Sequence, residues 1–140
     1  MKRRCCELKT LVVCLDDNYG MMFNNRRQSR DVCVVKKIQE LSDASVLYRD
    51  NYSQTLFPDG QQIINYTNDG FYFVENPDLL SHNVEEIFDQ IVIFRWNREY
   101  PADKRLDLNL KYYNMEVMTE FAGNSHEKIT MEIYKKKGVF

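Results

Sequence analysis

The feature that most constrains the fold is a run of five apolar residues, Leu11 to Leu15, followed directly by a polar loop. The run is too short for a buried helix, and its β-branched residues favour a strand that is covered on both faces. At the far end of the loop, Asp31 can accept a hydrogen bond from a free backbone N–H and so begin a helix. A loop that leaves a central strand and enters a helix is where open α/β sheets hold their ligands. The sequence therefore predicts an α/β fold with a candidate site in the loop from Asn18 to Arg30.

A second continuous apolar run, Ile91 to Phe94, predicts another central strand that is buried on both faces. The last part of the chain differs, because apolar and polar residues alternate from Tyr113 to Phe121 and again from Ile129 to Tyr134. Gly123-Asn124-Ser125 separates these two stretches, so they predict an antiparallel hairpin at one end of the sheet. The whole pattern favours a three-layer α/β/α domain with a mostly parallel sheet and a C-terminal antiparallel hairpin.

Shorter signals predict the remaining elements. These are a helix at 32–41, a strand at 44–48, a short helix at 52–57, strands at 63–64 and 71–74, and a helix from 77 to about 88. Asn76 can cap the last helix, because its side chain accepts an N–H while Pro77 lacks one that would be unpaired anyway. Asp69-Gly70 is a typical hairpin turn, and the residues from 65 to 70 are too few for a parallel crossover.

The length and charge of the chain exclude several classes of protein. Its 140 residues predict a single domain over residues 9–140, preceded by an extension, residues 1–8, that we expect to be mobile. The 19 Lys and Arg residues balance 21 Asp and Glu residues, which argues against a nucleic-acid partner. No apolar run approaches the roughly 18 residues of a membrane-spanning helix, and residues 1–9 lack the apolar stretch of a signal peptide. We therefore expect a cytoplasmic protein without a membrane partner.

The cysteines and histidines offer no pattern for a metal site. The four cysteines are Cys5, Cys6, Cys14 and Cys33, and the two histidines are His82 and His126. None of the cysteines forms a Cys-x-x-Cys pair, and a zinc site would need four ligands that converge. We expect reduced thiols and no bound metal, with Cys14 and Cys33 packed as small apolar residues.

Two separated parts of the chain resemble dihydrofolate reductase. The first is VVCLDDNYGMMFNN, which begins at Val12 and is similar to the first strand and active-site loop of that family. The second joins FDQIVIFRWNREYPAD, which begins at Phe88, to FAGNSHEKITMEIYKKK, which begins at Phe121. This part resembles the strand, long loop and closing hairpin of the reductases. The resemblance implies the reductase fold and, in the ancestor, sites for NADPH and a pterin.

The chain departs from the family at the residues that carry the chemistry. In the family a strand ends in two glycines, whose unhindered N–H groups approach the NADPH pyrophosphate at a helix N-terminus. Glu75 and Asn76 occupy that position here, and FVEN replaces the strand end. Both residues carry side chains, and Glu75 adds a negative charge opposite a doubly negative ligand. The comparison therefore implies no cofactor-binding residues at this position and no NADPH cofactor.

Further departures affect the loop and the first helix. Met22 replaces the second small residue after Gly20, and Arg27-Gln28-Ser29 replaces a Leu-Pro-Trp of the family. The helix carboxylate that holds the pteridine in the family falls near Val34 by counting. Asp31 can replace that carboxylate only if the helix begins earlier. Together these losses predict that hydride transfer is gone.

Short chains of this type also resemble a group labelled ribonuclease Z. Two-metal phosphodiester hydrolysis needs several His and Asp ligands around two cations about 3.5–4 Å apart. His82 and His126 are distant in the sequence, and no cluster of the His-x-His-x-Asp-His type is present. The residues therefore give an RNA-processing role no support, and it stays an alternative that rests on the label alone.

Two polar segments supply the candidate ligand-binding residues. They are Asn24, Asn25, Arg26, Arg27, Gln28 and Asp31 in the loop, and Asn124, Ser125 and His126 in the closing hairpin. Arginines offer planar forks to phosphate or carboxylate, and Asn side chains can bond an amide or a base edge. The structural alternatives are a solvated loop whose asparagines supply turn geometry, and an ordinary hairpin tip. A third cluster, Trp96 to Tyr100, could stack on a ring or simply complete the core.

The resemblance also implies that the two polar segments touch, because the closing hairpin lies against the active-site loop in the reductases. We expect Arg26, Arg27 and His126 to share one rim that forms the working surface. The first function hypothesis is a binding or regulatory protein without NADPH chemistry, which recognises a small anionic or heterocyclic ligand or a protein partner. The alternative is an active pterin-type reductase that uses NADPH.

Overall fold

The structure is a computed structural model that describes residues 8–80 and 83–138. The main sheet contains β1 (Lys9–Leu15), β4 (Leu47–Arg49), β5 (Gln61–Gln62), β6 (Gly70–Phe73), β7 (Gln90–Arg95), β9 (Tyr113–Phe121) and β10 (Ile129–Lys136). A small sheet contains β2 (Gly20–Phe23), β3 (Arg26–Arg27) and β8 (Lys104–Arg105). The helices are α1 (Val32–Leu41) and α2 (Val84–Ile87), with 3₁₀ turns at Asn51–Thr55, Pro77–Leu79 and Leu110–Tyr112. The predicted extension, residues 1–8, lies outside the described residues except for Leu8, which is buried.

β1 and β7 form the centre of the main sheet, whose strand order is β5-β4-β6-β1-β7-β10-β9. Neighbouring strands from β5 to β7 are parallel, whereas β10 runs antiparallel to both β7 and β9. The two continuous apolar runs lie side by side, with Val12 opposite Val92, and both residues are fully buried. The prediction of a mostly parallel sheet with a C-terminal antiparallel hairpin is therefore confirmed.

The two faces of the sheet are covered unequally. α1 covers one face through its buried residues Val34 and Ile38. The opposite face packs against Val84 of α2 and an aromatic group in which Tyr66 contacts Tyr72. Three layers result, and the second outer layer is thin because α2 has only four residues. No helix within residues 8–80 and 83–138 is long and apolar enough to cross a membrane.

α1 occupies the predicted range, and Asp31 is its N-cap, since Oδ1 accepts the backbone N–H of Cys33 at 2.9 Å. The helix predicted over 52–57 is instead a 3₁₀ turn that begins one residue earlier and is capped by Asp50. The strand predicted over 44–48 is present as β4, displaced towards the C-terminus. Local signals thus locate all three elements and misplace the ends of the last two by a few residues.

The helix predicted from residue 77 to about 88 is shorter than expected. Asn76 caps it as predicted, with Oδ1 accepting the N–H of Asp78 at 3.0 Å, but only a three-residue 3₁₀ turn follows. Leu80 leaves the helical conformation with ψ of 72°, and α2 is a separate element. A cap fixes where a helix begins, whereas its length depends on tertiary packing, and this turn has no buried residue.

The structure predicted between β4 and β6, a strand at 63–64 followed by a hairpin turn at Asp69-Gly70, is wrong. β5 precedes the predicted 63–64 strand, and Ile64 is 88% exposed. Asp69-Gly70 does not form a hairpin turn, because β5 and β6 are both parallel to β4 and lie on either side of it. Gly70 instead starts β6 with φ of 145°, where a Cβ would lie 2.9 Å from the carbonyl oxygen of Val46. The short segment between β5 and β6 is enough for a parallel connection because β5 has only two residues. The chain therefore travels back along the sheet by only a small distance before β6 begins.

Candidate functional site

A buried carboxylate, Asp16, holds the loop that follows β1. Its Oδ1 accepts the backbone N–H groups of Asn18 and Gly20 at 2.8 and 2.7 Å. Its Oδ2 accepts Nε2 of Gln28 at 3.0 Å and the backbone N–H of Tyr100 at 3.2 Å. Burial opposes the charge of Asp16, but these hydrogen bonds outweigh burial and lower its pKa below the usual value. The charged Asp16 therefore ties both ends of the loop to the segment after β7.

The loop itself folds into a hairpin of β2 and β3. Its turn residues, Asn24 and Asn25, have φ of 52° and 61°, a left-handed conformation that asparagine tolerates and two-residue hairpin turns require. The side chains of both, and that of Arg26, are exposed. The two asparagines therefore have the turn-forming role that the sequence left open, while their side chains remain accessible.

Arg27 and Glu75 form an ion pair across a cleft lined by β1, β6 and α1. Nε and Nη2 of Arg27 donate to Oε2 and Oε1 of Glu75 at 2.6 and 2.9 Å, and the side chains are 18% and 10% exposed. The guanidinium lies 4.6 Å from the ring centre of Tyr52, and Ser53 Oγ donates to Glu75 Oε1 at 2.7 Å. The hydrogen bonds to Glu75 raise the pKa of Arg27 above its usual value. The cleft retains space of ≈ 20 Å³, enough for about one water molecule.

The walls of this cleft are largely apolar and include Val34, Phe73 and Trp96. The thiol of Cys14 also lines it, and burial, together with the charge of Glu75, raises the pKa of this thiol well above its usual value. The thiol therefore stays protonated and is not a nucleophile at neutral pH. Val34 offers the cleft only methyl groups.

Asp31 is the centre of a second buried cluster, between α1 and the turn of the C-terminal hairpin. Its Oδ2 lies 2.8 Å from Nδ1 of His126, and the Asp31 and His126 side chains are 0% and 3% exposed. The carboxylate also accepts the backbone N–H groups of Asn124 and Ser125 at 2.9 and 2.8 Å. Burial opposes its charge, but the hydrogen bonds from Asn124, His126, Ser125 and Cys33 hold the pKa of Asp31 well below its usual range. This carboxylate joins the helix to the hairpin and exposes no oxygen to a ligand.

The other ring nitrogen of His126 faces two hydroxyl groups. Nε2 lies 2.9 Å from Ser29 Oγ and 3.2 Å from the hydroxyl oxygen of Tyr100. The imidazole also stacks on Trp96, with ring centres 4.5 Å apart and planes 23° apart. Because Asp31 is an acceptor, Nδ1 carries the proton and Nε2 accepts from a hydroxyl. His126 is therefore a buried junction between the hairpin turn and the loop, although its neighbours in the turn, Asn124, Ser125 and Glu127, are exposed.

The structure brings the two predicted segments together, but through residues 29–31 rather than 24–28. Ser29 and Asp31 bond to His126, and Ser125 Oγ donates to the carbonyl oxygen of Arg30 at 3.3 Å. Within the described part of the chain, no hydrogen bond joins 24–28 to 124–126. The predicted rim of Arg26, Arg27 and His126 is wrong, because Arg27 turns to Glu75 and His126 is buried.

The sequence does not assign these roles to Asp16, Ser29 or Tyr100. Tyr100 belongs to the Trp96–Tyr100 segment, which the sequence does mark as an aromatic cluster. The signal for Asp16 is its position directly after a central strand and four residues before Gly20, which is typical of a carboxylate that caps a loop. Ser29 carries no local signal, because its partner lies 97 residues away.

An open groove of ≈ 440 Å³ lies beside the β2–β3 hairpin. Its lining residues are Phe23, Asn24, Arg26, Arg27, Gln28, Tyr100 and Pro101. Phe23 is 43% exposed, and Oε1 of Gln28 is buried without a hydrogen-bond partner among the described residues. An unpaired buried acceptor marks a position where a ligand or water donor fits. Within the described residues, no group of three or more His, Cys, Asp or Glu side chains could hold a metal ion.

The comparisons with known proteins identify the fold. No protein-family model and no curated protein matches the chain. Among solved structures, the dihydrofolate reductase from Enterococcus faecalis, in complex with NADP(H) and RAB-propyl, superposes with a TM-score of 0.67. The match covers 91% of this chain and 95% of that one at 8% sequence identity. The chain therefore has a dihydrofolate reductase-like fold, as the two matching parts of its sequence predict.

Proposed function

We propose that this chain is a ligand-binding protein with a dihydrofolate reductase-like fold that does not transfer hydride from NADPH. The observation that carries the proposal is the Arg27–Glu75 ion pair, which spans the cleft. The remaining space of ≈ 20 Å³ is far below the several hundred Å³ that a small-molecule pocket encloses. A pterin ring could enter only after this buried, bidentate contact had broken.

The residues at the implied cofactor position do not fit NADPH. A pyrophosphate needs unhindered backbone N–H groups at a helix N-terminus. Glu75 presents a carboxylate that is already bonded to Arg27 and Ser53, and the Asn76 side chain bonds the N–H of Asp78. A doubly negative pyrophosphate would therefore face the negative charge of Glu75. The N–H of Asp78 would not be available to it, because Asn76 already accepts that N–H. This mismatch supports the absence of hydride transfer.

The groove beside the β2–β3 hairpin supports the binding half of the proposal. Phe23 and Tyr100 supply aromatic surface, and Arg26 is exposed and forms no ion pair among the described residues. Two aromatic side chains and an exposed guanidinium complement a flat, anionic heterocycle. We therefore propose a small anionic heterocycle as the ligand class.

A fluorescence titration with 6-carboxypterin, a flat heterocycle that carries a carboxylate, tests the proposal. We expect saturable binding that Arg26→Ala weakens about tenfold, the effect of losing one charge-assisted hydrogen bond. Arg105→Ala is the matched control, because Arg105 is an exposed arginine on β8 outside the groove. Equal weakening by both variants would show non-specific attraction of an anion. Oxidation of NADPH in the presence of a dihydropterin would overturn the proposal and establish the reductase alternative.

A further inference from the structure

Asp31, His126 and Ser29 form a continuous chain of hydrogen bonds. Asp31 Oδ2 lies 2.8 Å from Nδ1 of the imidazole, and Nε2 lies 2.9 Å from Ser29 Oγ. The carboxylate and imidazole are almost completely buried, whereas Ser29 is half-buried and lines the cleft. A buried acid, an oriented imidazole and an accessible hydroxyl in this order are the parts of a nucleophilic serine site, which is recognised by geometry rather than by fold.

The environment of His126 suits a general base. Asp31 accepts the proton of Nδ1, so the lone pair of Nε2 points towards the hydroxyl of Ser29. The backbone N–H groups of Asn124 and Ser125 keep Asp31 charged, and a charged Asp31 stabilises the imidazolium that forms when Nε2 takes a proton. The stacked Trp96 ring adds an electron-rich face beside that cation.

Two backbone N–H groups that follow Ser29 in the sequence are candidate donors for a developing oxyanion. The N–H of Arg30 has no acceptor among the described residues, and neither has that of Val32, the first residue of the ten-residue helix α1. In α/β-hydrolases the residue after the nucleophile supplies one such N–H. The N-terminus of α1 also carries partial positive charge. Both features favour negative charge on an oxygen bound beside Ser29.

We propose that Ser29, His126 and Asp31 hydrolyse small carboxylic esters through an acyl-enzyme. Ser29 Oγ bonds to the carbonyl carbon while its proton moves to Nε2 of His126. The bond between that carbon and the leaving alcohol's oxygen then breaks, and the alcohol takes the proton from Nε2. Water repeats the same steps on the acyl-Ser29 ester, releases the carboxylic acid and restores the serine.

The space beside Ser29 sets the substrate class. The cleft that Ser29 lines is closed by Arg27 and Glu75 and holds ≈ 20 Å³ of free space between apolar walls. Such a space accepts no more than the methyl group of an acetyl ester and excludes longer acyl chains, while the carbonyl group and the alcohol portion must lie outside it. This activity goes beyond the ligand binding proposed above and uses neither Arg26 nor the groove that contains it.

The competing explanation is that the same hydrogen bonds only fasten the hairpin turn to α1. Ser125 provides a matched control, because its Oγ lies 3.2 Å from Nδ1, on the side of the ring that faces Asp31. Tyr100 provides a second control, since its hydroxyl shares Nε2 at 3.2 Å. A structural network treats all three hydroxyls alike, whereas a nucleophilic site distinguishes Ser29 from the other two.

The test is labelling of the full chain with a fluorophosphonate–rhodamine probe, with the modified residue identified by mass spectrometry. We expect the label on Ser29 and its loss in Ser29→Ala, with no label on Ser125 or Tyr100, whose hydroxyls contact the same imidazole. Hydrolysis of 4-nitrophenyl acetate is expected to fall to the rate of buffer alone in Ser29→Ala. Circular dichroism establishes that each variant is folded.

The labelling of the unmodified chain tests the proposal even if a variant fails to fold. Absence of label, or a label on any residue other than Ser29, overturns the proposal. Unchanged 4-nitrophenyl acetate hydrolysis by a folded Ser29→Ala protein overturns it equally. Label on Ser29 alone, with hydrolysis that is lost in a folded Ser29→Ala protein, supports it.

Discussion

Removal of one partner of the Arg27–Glu75 ion pair should destabilise the protein strongly. Arg27→Ala eliminates two charge-assisted hydrogen bonds, at 2.6 and 2.9 Å, and the contact of the guanidinium with the Tyr52 ring. It also leaves Glu75, which is 10% exposed, without its cation. Partial exposure of Arg27 lowers the value of each bond towards about 1 kcal/mol, to which the stacking adds about 0.5–1 kcal/mol. We expect a loss of about 3 kcal/mol, or about 10 °C in Tm for a domain of this size.

A double-mutant cycle separates the ion pair from these other contributions. Urea unfolding of the unmodified chain, Arg27→Ala, Glu75→Gln and the double variant gives the coupling free energy between the two side chains. We expect a coupling of about 1–2 kcal/mol, with the double variant less destabilised than the sum of the single variants. A coupling below about 0.5 kcal/mol would show that the two charges act independently, and would refute the description of the pair as a closure of the cleft.

Three further substitutions test the other parts of the structure by thermal or urea unfolding. Asn76→Ala should cost about 0.5–1 kcal/mol through loss of the cap, and an unchanged melting curve would contradict the assignment. Asp31→Asn should cost about 2–3 kcal/mol at neutral pH. Because the pKa of Asp31 is lowered in the folded state, its charge contributes stability above about pH 4. The difference in free energy of unfolding between the unmodified chain and Asp31→Asn should therefore shrink as the pH falls below that value. Gly123→Ala should cost about 2–3 kcal/mol, since a Cβ would lie 2.5 Å from Asp31 Oδ2. The buried cluster would be contradicted if the stability difference between the unmodified chain and Asp31→Asn did not change with pH. It would also be contradicted if Gly123→Ala were as stable as the unmodified chain.

The sequence predicts best the elements whose burial is uniform. β1 and β7 are covered on both faces, so each leaves a continuous apolar run, and α1 is marked by both its cap and its apolar face. The terminal hairpin is marked by alternation of residue type, although burial does not alternate in it: β9 is exposed at every position between its ends, and β10 is mostly buried. These signals are local, because each lies within a single element.

The region around β5 could not be predicted in the same way. Two exposed residues, Gln61 and Gln62, form this strand, and they are in a strand only because β4 offers them an edge. Gly70 resembles a turn residue in sequence, yet its conformation serves a close approach to Val46 at the start of β6. Tertiary context therefore overrides the local turn signal there.

The candidate site also depends on contacts that no local pattern records. Arg27 and Glu75 are 48 residues apart, and Asp31 and His126 are 95 residues apart. The sequence correctly identifies the polar loop and the hairpin turn as segments that meet. It cannot identify which side chains already form hydrogen bonds or ion pairs within the protein, since these contacts depend on distances that are set only when the chain folds.

The most direct test of the central claim is a fluorescence titration of NADPH into the unmodified full-length chain. We expect no saturable binding, because under the proposed function Glu75 and Asn76 stand where a pyrophosphate would need unhindered N–H groups, and Arg27 holds Glu75 across the cleft. Replacement of both residues by glycine should at most give weak binding, since the loop is altered as well. Saturable binding of NADPH by the unmodified chain with micromolar affinity would contradict the account.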